Sequence, residues 1–329
     1  MIVSPLATGN GAYIVHKMLE QSIKDYRVLP YHPYRTLVPP SLWSLGRKSK
    51  PNIIHTTPDY ALFHKQKSVP LVVTFHNYVL DSFMRTYSSK LQNIHYQTDL
   101  KWFTKKAVNL ANEITAVSQF TADLVKHELG VNQKIRVIYN GIDESSFTPS
   151  LGNTRANGEI KVLFSGNLSS RKGEQWLLPI LNKLNTNVSI LYTSGLRGAG
   201  ALAGHPRLVN VGRVPYKDMP ALYQSADILL FPTVREGFGL AAAEAMACGL
   251  PVVATNCSAL PELIDDSKGG FLCCLGDVGG FADKINILAV NEVLRKEMGQ
   301  YNRVRVEELF TLNRMVAEYQ ELFEKANQR

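Results

Sequence analysis

Two carboxylates, Glu236 and Glu244, bracket Gly237-Phe238-Gly239 with seven residues between them. Just upstream, the apolar run Ile228-Leu229-Leu230-Phe231 stops at Pro232, as a buried strand and its exit do. Downstream, residues 240–248 are alanine-rich and close with Gly249 and then Pro251, the way helices stop. Residues 251–255 read as the next buried strand. The segment 228–255 is therefore predicted to be strand, loop, helix, strand, about the size of a βαβ crossover. The glycines let a ligand approach the N–H groups from Gly237 to Leu240 at the helix entry, the positive end of its dipole, which suits a phosphate. Glu244 is the one side chain with polar reach on a helix otherwise faced by alanines. A carboxylate held this way can accept hydrogen bonds from a vicinal diol, as acidic residues do for ribose in dinucleotide folds. Taken singly, each glutamate reads equally well as a helix-dipole or solvated residue.

The length of 329 residues favours two domains, each with its own core. With 45% hydrophobic and 19% charged residues the composition is that of a globular protein. No apolar run approaches the roughly 18 residues of a membrane span. Met1 leads into Ile2-Val3 with no basic leader, so a cytoplasmic chain is expected. Cys248, Cys257, Cys273 and Cys274 show no zinc spacing and lie in apolar or strand-like runs, so reduced core residues are expected. The net charge of +8 is lopsided: residues 1–150 hold 17 Lys+Arg against 10 Asp+Glu, and the remainder 19 against 18. Such asymmetry points to an anionic partner of the first half, a membrane surface or a phosphorylated acceptor, or else to a basic face that is merely solvated. A nucleic-acid partner is not expected, since no recognition motif is present.

The chain opens as strand, glycine loop and helix: residues 1–5, then Gly9-Asn10-Gly11, then an apolar face at Ile14, Met18 and Leu19 within 12–21. Strands are predicted at 26–30, 52–56, 69–76, 113–118 and 134–139, and a helix at 119–129 closed by Gly130. Residues 31–50 are rich in proline and aromatic residues, which excludes a long regular element at their start and leaves a short helix at 41–45 carrying Trp43. Residues 82–111 read as helical, basic and aromatic. A linker at 148–159 sets the domain boundary after residue 150. The second domain restarts with a strand at 160–164, and strands follow at 188–192 and 208–211. Helices are predicted at 218–225, 259–263, 281–288, 293–302 and 312–327, with a strand at 270–275. Arg171-Lys172-Gly173 places two cations where a helix begins, against its dipole, an arrangement that a diphosphate would reward.

The stretch EGFGLAAAEAMACGLPVVAT resembles the signature of retaining, nucleotide-sugar-dependent glycosyltransferases of the GT-B fold, family 4: two glutamates with seven residues between them, then EAMA-x-G-x-PVVA. VIYNGID and LYQSAD resemble further family segments. The resemblance implies an α/β fold of two Rossmann-like, doubly wound domains facing across a cleft: 1–150 on the acceptor side, 151–311 binding the donor, and a helix at 312–329 crossing back to the first domain. It puts Glu236 by the donor sugar and Glu244 on the nucleotide ribose. Arg171, Lys172 and the backbone from Gly237 through Phe238 and Gly239 to Leu240 would hold the diphosphate. The loop at Val214 would receive the nucleobase, with Gly166 and Ser194 also at the nucleotide. His76 would reach the transferred sugar or acceptor, with Gly9, Asn10, Gly11 and Asn77 on the acceptor side. Three positions depart from the family pattern: Asn10 splits the usual glycine pair, Asn77 stands where Asp is common, and Asn167 where Arg is usual. The implied reaction moves a sugar from a nucleoside diphosphate sugar to a hydroxyl acceptor of the cell envelope, lipid-linked or a polysaccharide precursor, with retention. The rival readings are a sugar-nucleotide epimerase or hydrolase of the same fold, and a non-catalytic nucleotide-sugar-binding subunit. No cofactor or metal is expected, because Asp265-Asp266 follows a helix and lies outside the matched donor motifs. Attachment at the inner face of the membrane would be peripheral.

Overall fold

Continuous apolar runs become parallel strands here because strands covered by helices on both faces need no polar side. The computed structural model describes residues 1–45, 47–150, 158–194 and 204–328. Most of the predicted linker, and Gly195, lie outside them. Two compact units result: Met1–Gly141 with Leu312–Arg329, and Ile142–Thr311.

In the first unit β1 (Ile2–Ala7), β2 (Tyr26–Tyr31), β3 (Ile53–Thr56), β4 (Leu71–Phe75), β5 (Glu113–Ala116) and β6 (Ile135–Val137) form one parallel sheet in the order β2-β1-β3-β4-β5-β6. The helices are α1 (Gly11–Ser22), α2 (Ala61–His64), α3 (Lys90–His95), α4 (Lys101–Leu110) and α5 (Gln119–Leu129). Asn10 caps α1 by accepting from the Tyr13 amide at 2.8 Å, and Gly130 ends α5 at φ +64°. The proline-rich stretch makes two short 3₁₀ segments, Pro33–Leu37 and Pro39–Ser44, and the second carries Trp43.

The second unit repeats the plan with β7 (Ile160–Phe164), β8 (Val188–Thr193), β9 (Leu208–Gly212), β10 (Ile228–Phe231), β11 (Val252–Thr255) and β12 (Gly270–Cys273), ordered β12-β11-β10-β7-β8-β9 and all parallel. Its helices are α6 (Glu174–Leu181), α7 (Met219–Gln224), α8 (Leu240–Ala247), α9 (Leu260–Leu263), α10 (Val278–Val290) and α11 (Glu292–Leu309). The unit predicted over 228–255 is β10-α8-β11, with Leu229 in register with Val252. Its alanines are small because α8 is buried nearly all round. The last helix, α12 (Leu312–Asn327), belongs to the first unit and buries Met315, Tyr319, Leu322 and Phe323 there.

Several expectations shift. The first unit ends at Gly141 rather than at residue 150, because 142–150 fold with the second. The Ile142 amide donates to the Phe310 carbonyl at 2.8 Å, and Phe147 meets the rings of Tyr216 and Tyr223 at 5.8 and 6.0 Å. α11 runs to Leu309 rather than stopping at 302, since Arg303 is tied inward to the carbonyls of Glu144, Phe147 and Ala247. All four cysteines are free, but only Cys248 and Cys273 are core; Cys257 is half-buried and Cys274 exposed. Among the described residues no helix is long and apolar enough to cross a membrane.

Candidate active site

In the second unit the chain leaves β7 toward one side of the sheet and β10 toward the other, so these neighbouring strands form its topological switch point. Ligands in such sheets sit beyond the carboxyl ends of the strands at that point. The loops found there are the ones the sequence singled out. After β7, Gly166 takes φ +148°, and its amide donates to Thr193 Oγ1 at 2.9 Å. A 3₁₀ turn, Ser170–Lys172, leads through Gly173 into α6. Gly173 has φ +86°, and a Cβ there would sit 2.2 Å from the Pro232 carbonyl oxygen, so only glycine lets this turn lie against the exit of β10. A further bond welds the loops together, from the Val234 amide to the Arg171 carbonyl at 2.8 Å, and Thr233 Oγ1 lies 3.2 Å from the same carbonyl.

That weld brings Lys172 to Glu236. Its ammonium lies 2.5 Å from Glu236 Oε1 and 5.4 Å from the centre of the Phe231 ring. Glu236 Oε1 also accepts from Thr233 Oγ1 at 2.9 Å, and the Glu236 amide donates to Ser258 Oγ at 3.0 Å. Both side chains are largely buried, so the pair is a defined cation–carboxylate unit at the switch point. Arg171 is separate: its side chain is exposed, with no hydrogen-bond or ionic partner among the described residues. Asn167 is exposed as well.

Gly239 caps α8 in the left-handed region at φ +104° and supplies no capping side chain. Phe238 is buried against Phe310 at 5.5 Å. Glu244, the fifth residue of α8, is buried and accepts from the Tyr223 hydroxyl at 2.9 Å, and that hydroxyl also lies 3.2 Å from Ser165 Oγ. Burial pushes the Glu244 carboxyl up to about 7, against hydrogen bonds from Tyr223 and Tyr216 that favour its charge. Val214 is half-exposed in the loop after β9, two residues before Tyr216, and the Ser194 amide donates to the Gly212 carbonyl at 3.0 Å. Sequence reasoning missed Thr233, Ser258, Tyr216 and Tyr223, the residues that hold the two glutamates. The only signal was Tyr223 within LYQSAD, read as pattern rather than as a partner.

The pair Asp265 and Asp266 is engaged structurally. Asp265 meets the Tyr301 hydroxyl and Arg305, and Asp266 Oδ1 accepts from the Leu272 amide at 2.9 Å.

In the first unit, Gly9, Asn10 and Gly11 are exposed after β1, with the Asn10 side chain turned to its capping role. His76 and Asn77 follow β4 directly. His76 is half-buried, its Nε2 3.0 Å from His16 Nε2, and burial lowers its pKa to about 3, so the ring is neutral at physiological pH. Asn77 Oδ1 accepts from the Tyr78 amide at 2.8 Å.

Known proteins carry the same plan. The family model "Glycosyltransferase Family 4" matches residues 6–146, and "Glycosyl transferases group 1" matches residues 159–291. N-acetyl-alpha-D-glucosaminyl L-malate synthase of Bacillus anthracis is 25% identical, over 92% of this chain and 82% of its own length. D-inositol 3-phosphate glycosyltransferase of Corynebacterium jeikeium is 33% identical over 57% of this chain, which spans about half, 51%, of that relative. Capsular polysaccharide biosynthesis glycosyltransferase CapM of Staphylococcus aureus is 26% identical over 76% and 75% of the two chains. Among solved structures, sucrose-phosphate synthase from Thermosynechococcus elongatus superposes with a TM-score of 0.85 at 19% identity, covering 98% of each chain. Anabaena HepE, in complex with UDP and glucose, superposes with a TM-score of 0.81 at 19% identity, over 98% and 99%. With two parallel six-stranded sheets, the GT-B likeness and both family models in register with the two units, the chain belongs to the group 1 glycosyltransferases of family 4.

Proposed function

We propose that the protein transfers a glycosyl unit from a nucleoside diphosphate sugar to a hydroxyl acceptor with retention of configuration, the acceptor being a glycolipid or polysaccharide precursor of the cell envelope. The observation that carries this reading is the Lys172–Glu236 pair at the switch point, in the same unit as the buried Glu244. Lys172 would exchange Glu236 for the donor diphosphate, with the entry of α8 from Gly237 to Leu240 facing the same group. Glu236, released, would accept from the donor sugar, and Glu244 from the ribose. In the reaction the bond from the anomeric carbon to the phosphate oxygen breaks on the face where the acceptor oxygen bonds. The acceptor proton passes to the departing phosphate oxygen. The protein contributes position and charge stabilisation. This route needs no metal, and the structural engagement of Asp265 and Asp266 fits it. A uridine diphosphate sugar is the first donor to test, because HepE is described with UDP and glucose.

The deciding experiment is turnover of labelled UDP-, GDP- and ADP-sugars with and without a panel of alcohol acceptors, the product's anomeric configuration being read by NMR. Release of free sugar at the same rate without acceptor would indicate the hydrolase reading. Binding without any turnover would indicate the non-catalytic subunit. EDTA should leave transfer intact, and abolition with rescue by magnesium would overturn the metal-free route.

A further inference from the structure

Three histidines far apart in sequence meet inside the first unit. His16 on α1 presents Nδ1 to Ser4 Oγ and to the Tyr26 hydroxyl, both at 2.7 Å. The same hydroxyl lies 2.7 Å from His55 Nδ1 on β3. His55 Nε2 continues to Thr74 Oγ1 at 2.7 Å, which reaches Thr115 Oγ1 at 2.6 Å and the Tyr319 hydroxyl at 3.3 Å. At the other end His16 Nε2 faces His76 Nε2 at 3.0 Å. The rings of His16 and His55 stack at 4.3 Å, and Phe323 of α12 closes over His55 edge-on at 5.2 Å. His16, His55, Thr74, Thr115 and Tyr319 are all fully buried. Burial lowers the pKa of all three histidines, so each ring is neutral and carries one proton. The Glu20 carboxylate, which acts on Tyr26, is held by Lys17 and by the Val28 amide.

When Tyr26 gives its proton to one of the two rings rather than to Ser4 Oγ, such a chain has two consistent proton arrangements. Two facing ring nitrogens share one proton, and a phenol has only one to give. If Tyr26 donates to His55 Nδ1, His16 carries its own proton on Nδ1 and its Nε2 is bare. His76 must then donate from Nε2, which leaves its Nδ1 an acceptor. If Tyr26 donates to His16 Nδ1, every bond reverses and His76 carries its proton on Nδ1. Among the described residues His76 Nδ1 has no hydrogen-bond partner, and its ring is not sealed from solvent. We propose that His16, Tyr26 and His55 form a positioning relay that fixes the proton of His76 on one ring nitrogen. The relay thereby decides whether His76 Nδ1 accepts from or donates to a hydroxyl of the bound sugar or acceptor. This role for His76 rests on the transferase reading above; the relay itself does not.

The test is ¹⁵N NMR of the whole chain labelled at histidine. The expected result at pH 7 is three neutral rings in one of two concerted sets. In one, His55 is protonated on Nε2, His16 on Nδ1 and His76 on Nε2; in the other, all three are reversed. Any other combination, or a charged ring, overturns the relay, and this outcome needs no variant to fold. Tyr26→Phe keeps the ring and removes the hydroxyl. It should turn His76 into a tautomeric mixture and lower kcat about tenfold, with KM for the nucleotide sugar little changed. Thr74→Val should act in the same direction from the far end. Unchanged His76 signals in folded Tyr26→Phe would overturn the proposal. Concerted tautomers in a wild-type protein without transferase activity would support the relay and remove the transferase reading.

Discussion

Glu244 carries a cost that its neighbours only partly offset. Its carboxyl sits at about 7 in the folded chain against 4.5 ordinarily, so between those values the native protein holds a proton that the unfolded chain has lost. That contribution to stability is present at low pH and is lost as pH rises through 7. At about 1.4 kcal/mol per pH unit, the loss approaches roughly 3 kcal/mol. Glu244→Gln should therefore gain in melting temperature over wild type as pH is raised from 5 to just above 7 and hold that gain up to 8.5, in the absence of nucleotide. Parallel melting curves would show that burial does not hold this proton. The same side chain should be needed for binding: Glu244→Ala is expected to weaken nucleotide affinity by about 1.5–3 kcal/mol, the worth of one charged hydrogen bond. Glu236→Ala should chiefly lower turnover. Lys172→Ala should lose a nucleoside diphosphate far more than a bare nucleoside, read by calorimetry; equal losses would remove Lys172 from the diphosphate. Arg171→Ala tests whether an exposed guanidinium replaces the charge missing at Asn167.

Among elements, the turn through Gly173 controls the site more tightly than any strand. Gly173→Ala puts a methyl into the Pro232 carbonyl at a backbone angle that costs about 1–3 kcal/mol by itself. Lower melting temperature and a raised KM for the donor should appear together. A stable variant with unchanged KM would mean the loops are not welded as described. The elements were legible in the sequence where hydrophobic burial alone defines them. Ile228–Phe231 and Val252–Thr255 are continuous apolar runs because parallel strands are covered on both faces. α12 was legible because its apolar residues recur at helical spacing. The second half of α11 was not, since its ordering comes from Arg303 reaching carbonyls more than fifty residues away. Site partnerships were least legible. Lys172 and Glu236 are 64 positions apart, and only the sheet order makes them neighbours. His16 and His55 drew no reading from the sequence, because only the fold brings them together.

At the scale of the molecule, the excess positive charge lies in residues 1–150, and the exposed large apolar side chains there include Leu37, Trp43, Leu91, Ile94 and Trp102. Phe103 is different, turned inward against Phe63 at 5.0 Å, so the aromatic residues of that segment divide between core and surface. The exposed Trp102 ring, with the Lys106 ammonium 5.9 Å from its centre, and the exposed Lys90 and Lys105 suit a layer of anionic headgroups. Co-sedimentation should occur with anionic but not neutral vesicles, and should weaken with salt and with charge reversal of Lys101, Lys105 and Lys106. No sedimentation with either lipid would show that this face is merely solvated. The return of α12 has a consequence for how the chain is made. Domains emerging from a ribosome generally fold in the order they are synthesised. Here the second unit needs only residues 142–311, while the first lacks the Tyr319 and Phe323 side chains over its buried histidines until residues 312–327 are out. The middle of the chain should therefore reach its native state before the beginning does. A ribosome-bound chain arrested with residue 311 just exposed should resist protease across 142–311 and be cut within 1–141, and protection of the early segment should arrive only with α12.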